Sequence, residues 1–144
     1  MECPMPTINT NDANEIKKIF EEVKTIAIVG LSPNETKDSN KVGKYLQSVG
    51  YKIIPIYPKE EYILGEKVYR SLSEIPDRVD MVDMFRKPAI ADSLLEEVLK
   101  RGDVKVFWLQ LGIVNNEACE KAKEAGLKVV QNRCSKVEHQ RLMK

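Results

Sequence analysis

The residues with the most chemical character lie between Gly30 and Asn40, in "GLSPNETKDSN", directly after the apolar run "TIAIV". Gly30 lacks a Cβ, so the backbone there can turn sharply and approach a ligand closely. Ser32, Ser39 and Asn40 offer neutral donors and Lys37 a cation. A helix starting near Ser39 or Asn40 would add free N–H groups and the positive end of its dipole. Strand, polar loop and helix in that order suit a phosphate or pyrophosphate. Yet the loop lacks the second and third glycines of G-x-G-x-x-G and has no G-K-[ST]. An ordinary surface loop with a Ser/Asn helix cap is the alternative, and the loop alone does not choose.

Other candidates follow at intervals. The run "YKIIPIY" ends in Tyr57 and is followed by Pro58 and Lys59, where a nicotinamide- or flavin-binding unit presents an acidic residue to the ribose. Its absence argues against NAD. Tyr57 can stack on a base and Lys59 can meet a ribose phosphate, as in NADP or coenzyme A; a rigid turn between two prolines explains the same residues without a ligand. In "VDMVDMFRKP", Asp80 and Asp83 are three apart and point to opposite sides of a strand, so they are not a catalytic carboxylate pair. Phe85 and Arg86 follow, with Arg86 suited to a phosphate or to a plain salt bridge. Gln110 and Gly112, with Asn115 or Asn116 beyond them, can hydrogen-bond an amide or pantetheine-like chain, while Trp108 reads as core.

Cys134 has Arg133 beside it and His139 five residues on. A reactive cysteine needs a setting that stabilises its thiolate, and neighbouring strand residues point apart, so an inert thiol is expected. No set of nucleophile, base and orienting group emerges, and no metal cluster. A binding module explains these residues better than a catalyst.

The elements that must position them alternate. "DANEIKKIFEEV" repeats Ile16, Ile19, Phe20 and Val23 at helical spacing, with Asp12 and Glu15 placed as a capping box. This N-terminal helix is expected over about 11–23. Strands are expected at 25–29, 51–57, 79–85, 104–110 and 127–132. Helices fall between them: one bearing Val42, Tyr45, Leu46 and Val49, one over about 88–101, and one bearing Ala118, Ala122 and Ala125. The stretch 61–76 reads as irregular with one short helical turn, and 135–144 as helical. Strands alternating with helices mean βαβ units. The expected fold is α/β, a doubly wound Rossmann-like five-stranded parallel sheet of order 3-2-1-4-5 with helices on both faces, and its ligand edge lies beyond the strand carboxyl ends.

The chain of 144 residues is expected to form one domain, with a core over about 24–132 and a C-terminal tail at 133–144. A net charge of +1 gives no reason to expect nucleic acid or a membrane surface. No apolar run could span a bilayer and "MECPMPTINT" has no signal core, so a cytoplasmic protein is expected. Cys3, Cys119 and Cys134 are odd in number and show no C-x-x-C spacing, which signals neither a disulfide framework nor zinc.

Five segments together resemble the small CoA-binding protein family, stand-alone Rossmann-like domains similar to the CoA-binding domain of the succinyl-CoA synthetase alpha subunit. They are "IAIVGLSPNETKDSNKVGKYLQSVGYKIIPIYP", "ILGEKVYRSLSEIP", "VDMVDMFRKP", "WLQLGIVNNEA" and "AGLKVVQNRC". The resemblance implies coenzyme A or an acyl-CoA at the strand carboxyl ends. It implies Gly30, Leu31, Ser32 and Pro33 in the phosphate-side loop, Lys37 and Ser39 at positions common to the family, and Pro55 and Pro58 framing the second turn. Phe85 and Arg86 fall in the third turn and Gln110 and Gly112 in the fourth. Tyr57 stands where the family has Asn, and Asn132 where "DRC" has Asp, so the polar contacts there are expected to change. The synthetase's phosphohistidine belongs to a second domain that these residues do not match, so ligase activity is not implied. Two rival expectations are a small CoA-dependent or thiol-using enzyme centred on Cys134, and a protein-interaction domain without a ligand.

Overall fold

The computed structural model of the protein describes residues 13–143. Helix α1 (Ala13–Glu22) buries Ile16, Ile19 and Phe20 on one stripe. Ten residues rarely hold a helix alone in water, so this burial keeps it folded rather than propensity. Asp12 of the expected capping box lies outside the described residues. The chain continues through β1 (Thr25–Val29), α2 (Asp38–Ser48) and β2 (Lys52–Ile56). A hairpin of β3 (Tyr62–Ile63) and β4 (Glu66–Lys67) and a 3-10 turn at Leu72–Glu74 come next. Then follow β5 (Met81–Met84), α3 (Ile90–Arg101), β6 (Val106–Leu109), α4 (Asn116–Glu124), β7 (Lys128–Val130) and α5 (Ser135–Leu142).

Five parallel strands form the sheet β2-β1-β5-β6-β7. Side chains of α1, α2 and α5 pack on one face and those of α3 and α4 on the other. Runs such as "MVDM" and "VFWL" are buried throughout, as a parallel sheet covered on both sides requires. The expected α/β class therefore holds, with helices on both faces.

The strand order corrects the expectation: among the five sheet strands it is 2-1-3-4-5 rather than 3-2-1-4-5. The reason lies on the outer edge of β2. Tyr69 N donates to Pro55 O (3.0 Å) and Tyr57 N to Tyr69 O (3.1 Å), a parallel bridge that occupies that edge. β5 pairs with the free side of β1 instead. Pro55 fits this arrangement, since its missing N–H faces the outer edge while Ile56 O turns inward to Gly30 N (2.8 Å). The carboxyl ends of β1 and β5 now flank the point where the winding reverses, the usual place for a ligand in such sheets.

The hairpin is a second correction, because 61–76 was expected to be irregular. Leu64 and Gly65 both have positive φ (55° and 79°), which gives the two-residue turn whose twist matches its strands. Leucine is not the Asn or Asp that announces such a turn. Gln47 Nε2 donates to Leu64 O (3.1 Å) and holds the hairpin to α2.

The amino-terminal edge of the sheet is tied by charge. Asp80 accepts from Lys24 N and Thr25 N (3.0 and 3.1 Å). Arg101, at the end of α3, donates to Leu72 O, Ile75 O, Asp77 O and the Asp103 carboxylate. Burial alone would raise the Asp103 carboxyl, but its hydrogen bonds from Arg101 and Val79 N prevail and hold it below the ordinary value.

Candidate functional site

At the carboxyl-end edge, the β1–α2 loop is held from beneath by two side chains expected to face a ligand. Ser39 Oγ accepts from Ser32 N (3.0 Å), and Asn40 Nδ2 donates to Ser32 O (2.9 Å). Both are buried, so they shape the loop rather than line its surface. Leu31 is buried below it, while Ser32 is half-buried and Pro33 exposed. Asn34 Oδ1 accepts from Thr36 N (2.9 Å), a side-chain turn that closes the tip.

Helix α2 begins at Asp38, with Lys37 as an N-cap residue that makes no side-chain cap bond. The first-turn N–H groups of Asp38, Ser39 and Asn40 therefore have no acceptor within the helix. Asp38 complements the helix dipole but opposes a bound anion, whereas Lys37 and Lys41 favour one.

Gly30 has φ +88°, and a Cβ on it would lie 2.9 Å from both Phe85 O and Arg86 Cδ. Only glycine lets the exits of β1 and β5 pass this closely. The side chains of Lys37, Lys41, Lys59 and Arg86 make no hydrogen bond or ion pair among the described residues. Arg86 also borders a hollow of about 130 Å³ on the α3 face, together with Arg70, Ser71 and Ser93. Arg70 itself holds the second turn, donating to Tyr57 O (3.0 Å) and Lys59 O (2.9 Å). Above it Tyr57 is half-buried and Pro58 and Lys59 are exposed.

On the other side of the sheet, a cleft of about 380 Å³ opens between the start of α2, the turn after β6 and the start of α5. Phe85, Gln110 and Cys134 line it. Behind Gln110 lies a closed polar network. Gln110 Nε2 donates to Asp83 Oδ1 (2.5 Å) and to Ser135 Oγ (2.7 Å), and Ser135 Oγ donates to Asp83 Oδ2 (2.8 Å). Gln110 Oε1 accepts from Ser135 N (3.3 Å). All three residues are buried. Burial pushes the Asp83 carboxyl up to about 7, against the hydrogen bonds from Gln110 and Ser135 that favour its charged form. Gln110, expected to read a ligand amide, directs both amide hydrogens into the protein.

Gly112 (φ +87°) donates its N–H to Asn132 Oδ1 (2.7 Å), and Asn132 is itself left-handed (φ 60°). Asparagine tolerates that conformation and makes a turn bond of the kind its departure from Asp was expected to disturb. Asn115 caps α4 through Ala118 N (3.0 Å) and also donates to Pro88 O (2.9 Å). Trp108 is fully buried, as expected, with Nε1 donating to Arg133 O (2.8 Å).

Among the described residues, no hydrogen bond links Cys134 to His139. His139 Nδ1 lies 2.7 Å from Tyr45 OH, and its ring meets Phe20, Tyr45 and Tyr51 edge-on. Burial lowers its pKa below 6.5.

Three contributors were missed in the sequence. Ser135 and Arg70 act through non-local bonds that no spacing announces. Gly43 could have been noticed as a glycine on the apolar stripe of α2: a Cβ there would stand 3.1 Å from Leu31 Cδ1 and 3.4 Å from Ile28 Cδ1. It permits the close helix–strand packing that the third glycine of a dinucleotide fingerprint provides.

A family profile described as CoA binding domain matches residues 24–140. The chain belongs to this family. It is 42% identical over 125 residues to an uncharacterised protein of Bacillus subtilis strain 168, spanning 87% of this chain and 92% of that one. A solved hypothetical protein from Pyrococcus horikoshii OT3 superposes with a TM-score of 0.90 at 42% identity, covering 100% of both chains. The family also includes parts of larger enzymes. An ADP-forming acetate–CoA ligase of Methanocaldococcus jannaschii is 28% identical over 124 residues, which are 81% of this chain and 18% of the ligase. The dinucleotide-forming acetyl-coenzyme A synthetase 1 of Ca. Korarchaeum cryptofilum, solved with phosphate and ADP, matches 83% of this chain with a TM-score of 0.70 at 25% identity; the match covers 28% of the synthetase chain. The chain is thus homologous to the CoA-binding domain of ADP-forming acetyl-CoA synthetases and spans only a fraction of their length. Among the described residues, no helix is long and apolar enough to cross a membrane.

Proposed function

We propose that this chain reversibly binds coenzyme A or an acyl-CoA at the carboxyl-end edge of its sheet, without catalysing a reaction on it. The observation that carries this reading is the braced β1–α2 loop. Ser39 and Asn40 fix Ser32 by both its N–H and its carbonyl, while among the described residues the side chains of Lys37 and Arg86 have no partner and the first-turn N–H groups of α2 have no acceptor within the helix. Such a surface suits a pyrophosphate. Gly30, Leu31, Ser32 and Pro33 would carry the phosphate side, Tyr57, Pro58, Lys59 and Arg86 the adenosine side, and the turn at Gly112 the approach of the pantetheine arm, whose far end would reach Phe85 and Gln110. Family membership supports the same ligand, and β2 is followed directly by Tyr57, Pro58 and Lys59 rather than by an acidic residue at its end, which is consistent with coenzyme A rather than NAD.

Calorimetric titration of the protein, freed of carried-over ligand by mild denaturation and refolding, tests this. Coenzyme A should bind and NAD should not. Lys37→Ala and Arg86→Ala should each weaken coenzyme A about tenfold or more, as expected for loss of a charged contact. Absence of binding by coenzyme A, dephospho-coenzyme A and ATP alike would overturn the reading.

A further inference from the structure

The cleft between α2 and α5 is more apolar than a pantetheine arm requires. Phe85, Val42 and Ile113 line it, and Leu111 and Val137 stand at its lip 68% and 51% exposed. Large apolar side chains that exposed, gathered around one concavity, mark a surface that something apolar covers. The floor strengthens the point. Both amide hydrogens of Gln110 and the hydroxyl of Ser135 are directed to the Asp83 network, away from any occupant. Pantetheine carries two amides that need partners, and a floor whose donors are already engaged serves them poorly. A hydrocarbon chain needs none.

We infer that this cleft takes the acyl group of an acyl-CoA, and that the acyl group is an apolar chain rather than a dicarboxylic one. The inference rests on the coenzyme A reading, which puts the phosphates at the amino terminus of α2. That terminus borders the cleft through Asp38 and Lys41. A ligand anchored there can run its arm along the rim, past Gln140 and Lys136, with its thioester end turned inward. A terminal carboxylate would lose its hydration on entering a cleft walled by Val42, Phe85 and Ile113, a cost that an apolar chain end does not carry.

Titration with coenzyme A and with its acetyl, butanoyl, hexanoyl and succinyl thioesters tests this. Each methylene that enters the cleft should tighten binding about fourfold, so affinity should climb along the straight-chain series until the cleft is full. Succinyl-CoA should bind more weakly than butanoyl-CoA. Val137→Asp, an exposed change on α5, should collapse the ratio of hexanoyl-CoA to coenzyme A affinity. Thioesters that bind no tighter than coenzyme A, or succinyl-CoA binding tighter than butanoyl-CoA, would overturn this inference and leave the coenzyme A reading standing. No binding by coenzyme A or any thioester would overturn both.

Discussion

Gly30 and Arg86 pack so closely that a Cβ on the glycine would lie 2.9 Å from Arg86 Cδ, with Phe85 O equally near. The arginine stem can shift, but the Phe85 carbonyl belongs to the backbone leaving β5 and cannot do so cheaply. Gly30→Ala also places a side chain at φ +88°. Left-handed strain and the clash together should cost about 1–3 kcal/mol, read as a lower urea midpoint. The carrier of Arg86 moves as well, so coenzyme A affinity should fall by more than in Gly50→Ala, whose Cβ would meet nothing within 4 Å. Equal affinity in the two variants would show that the crossing at Gly30 does not shape the site.

Asp83 imposes a pH dependence with a definite sign. Its carboxyl titrates near 3.8 when free in the unfolded chain and near 7 when folded, because burial outweighs its hydrogen bonds. Between those values the folded state keeps a proton that the unfolded state has released. Its contribution to stability is therefore full below about pH 4, declines as pH rises, and is gone above about pH 7. Asp83→Asn should abolish that decline. Urea midpoints of both proteins at pH 5 and pH 8 should show a larger alkaline loss in the wild type. An identical difference between the two pH values in both proteins would mean that Asp83 is not the group responsible.

The alternation of strands and helices was legible because each buried element repeats its own period: "TIAIV" is a continuous apolar run, and Ile16, Ile19 and Phe20 keep helical spacing. What settled the strand order was a backbone bridge at Tyr69, which carries no residue-type signature. The site divides the same way. Gly30 and Lys37 are recognisable within one loop, whereas Asp83, Gln110 and Ser135 meet across separations of 25 to 52 residues. Ser39 and Asn40 were recognisable as polar groups of this loop, but sequence position does not tell that their side chains bond back to Ser32.

His139 gives a pH effect of the opposite sign. Enclosed by Phe20, Tyr45 and Tyr51, it resists protonation. The unfolded chain takes up the proton near pH 6.5 and the folded protein only lower, so this residue favours folding above that value and loses its contribution as pH falls through the folded pKa. The sequence holds one histidine, so its imidazole proton resonances can be followed directly by NMR. Their midpoint should lie below 6.5. A midpoint at or above that value would mean that water reaches the ring and that the α1–α2–α5 junction is looser than described.

The two ends of the sheet should answer to different mutations. At the amino-terminal end Arg101 joins three carbonyls and Asp103 with a side chain only 12% exposed. Arg101→Ala leaves those acceptors without their cation and should cost about 3 kcal/mol, or about 10 °C in Tm for a chain of this size. It lies far from the carboxyl-end loop in the sheet's layout, so coenzyme A affinity measured well below the new Tm should be unchanged. Ser39→Ala should do the reverse. It removes one acceptor for Ser32 N, a group that water can reach in part, and should cost about 1 kcal/mol or less. Yet it frees one of the two bonds that fix Ser32, so the loop must be ordered by the ligand instead, and coenzyme A should bind several-fold more weakly. If Ser39→Ala binds as the wild type does, the loop is not the phosphate platform. If Arg101→Ala weakens binding as much as it weakens the fold, the two ends are coupled through the sheet.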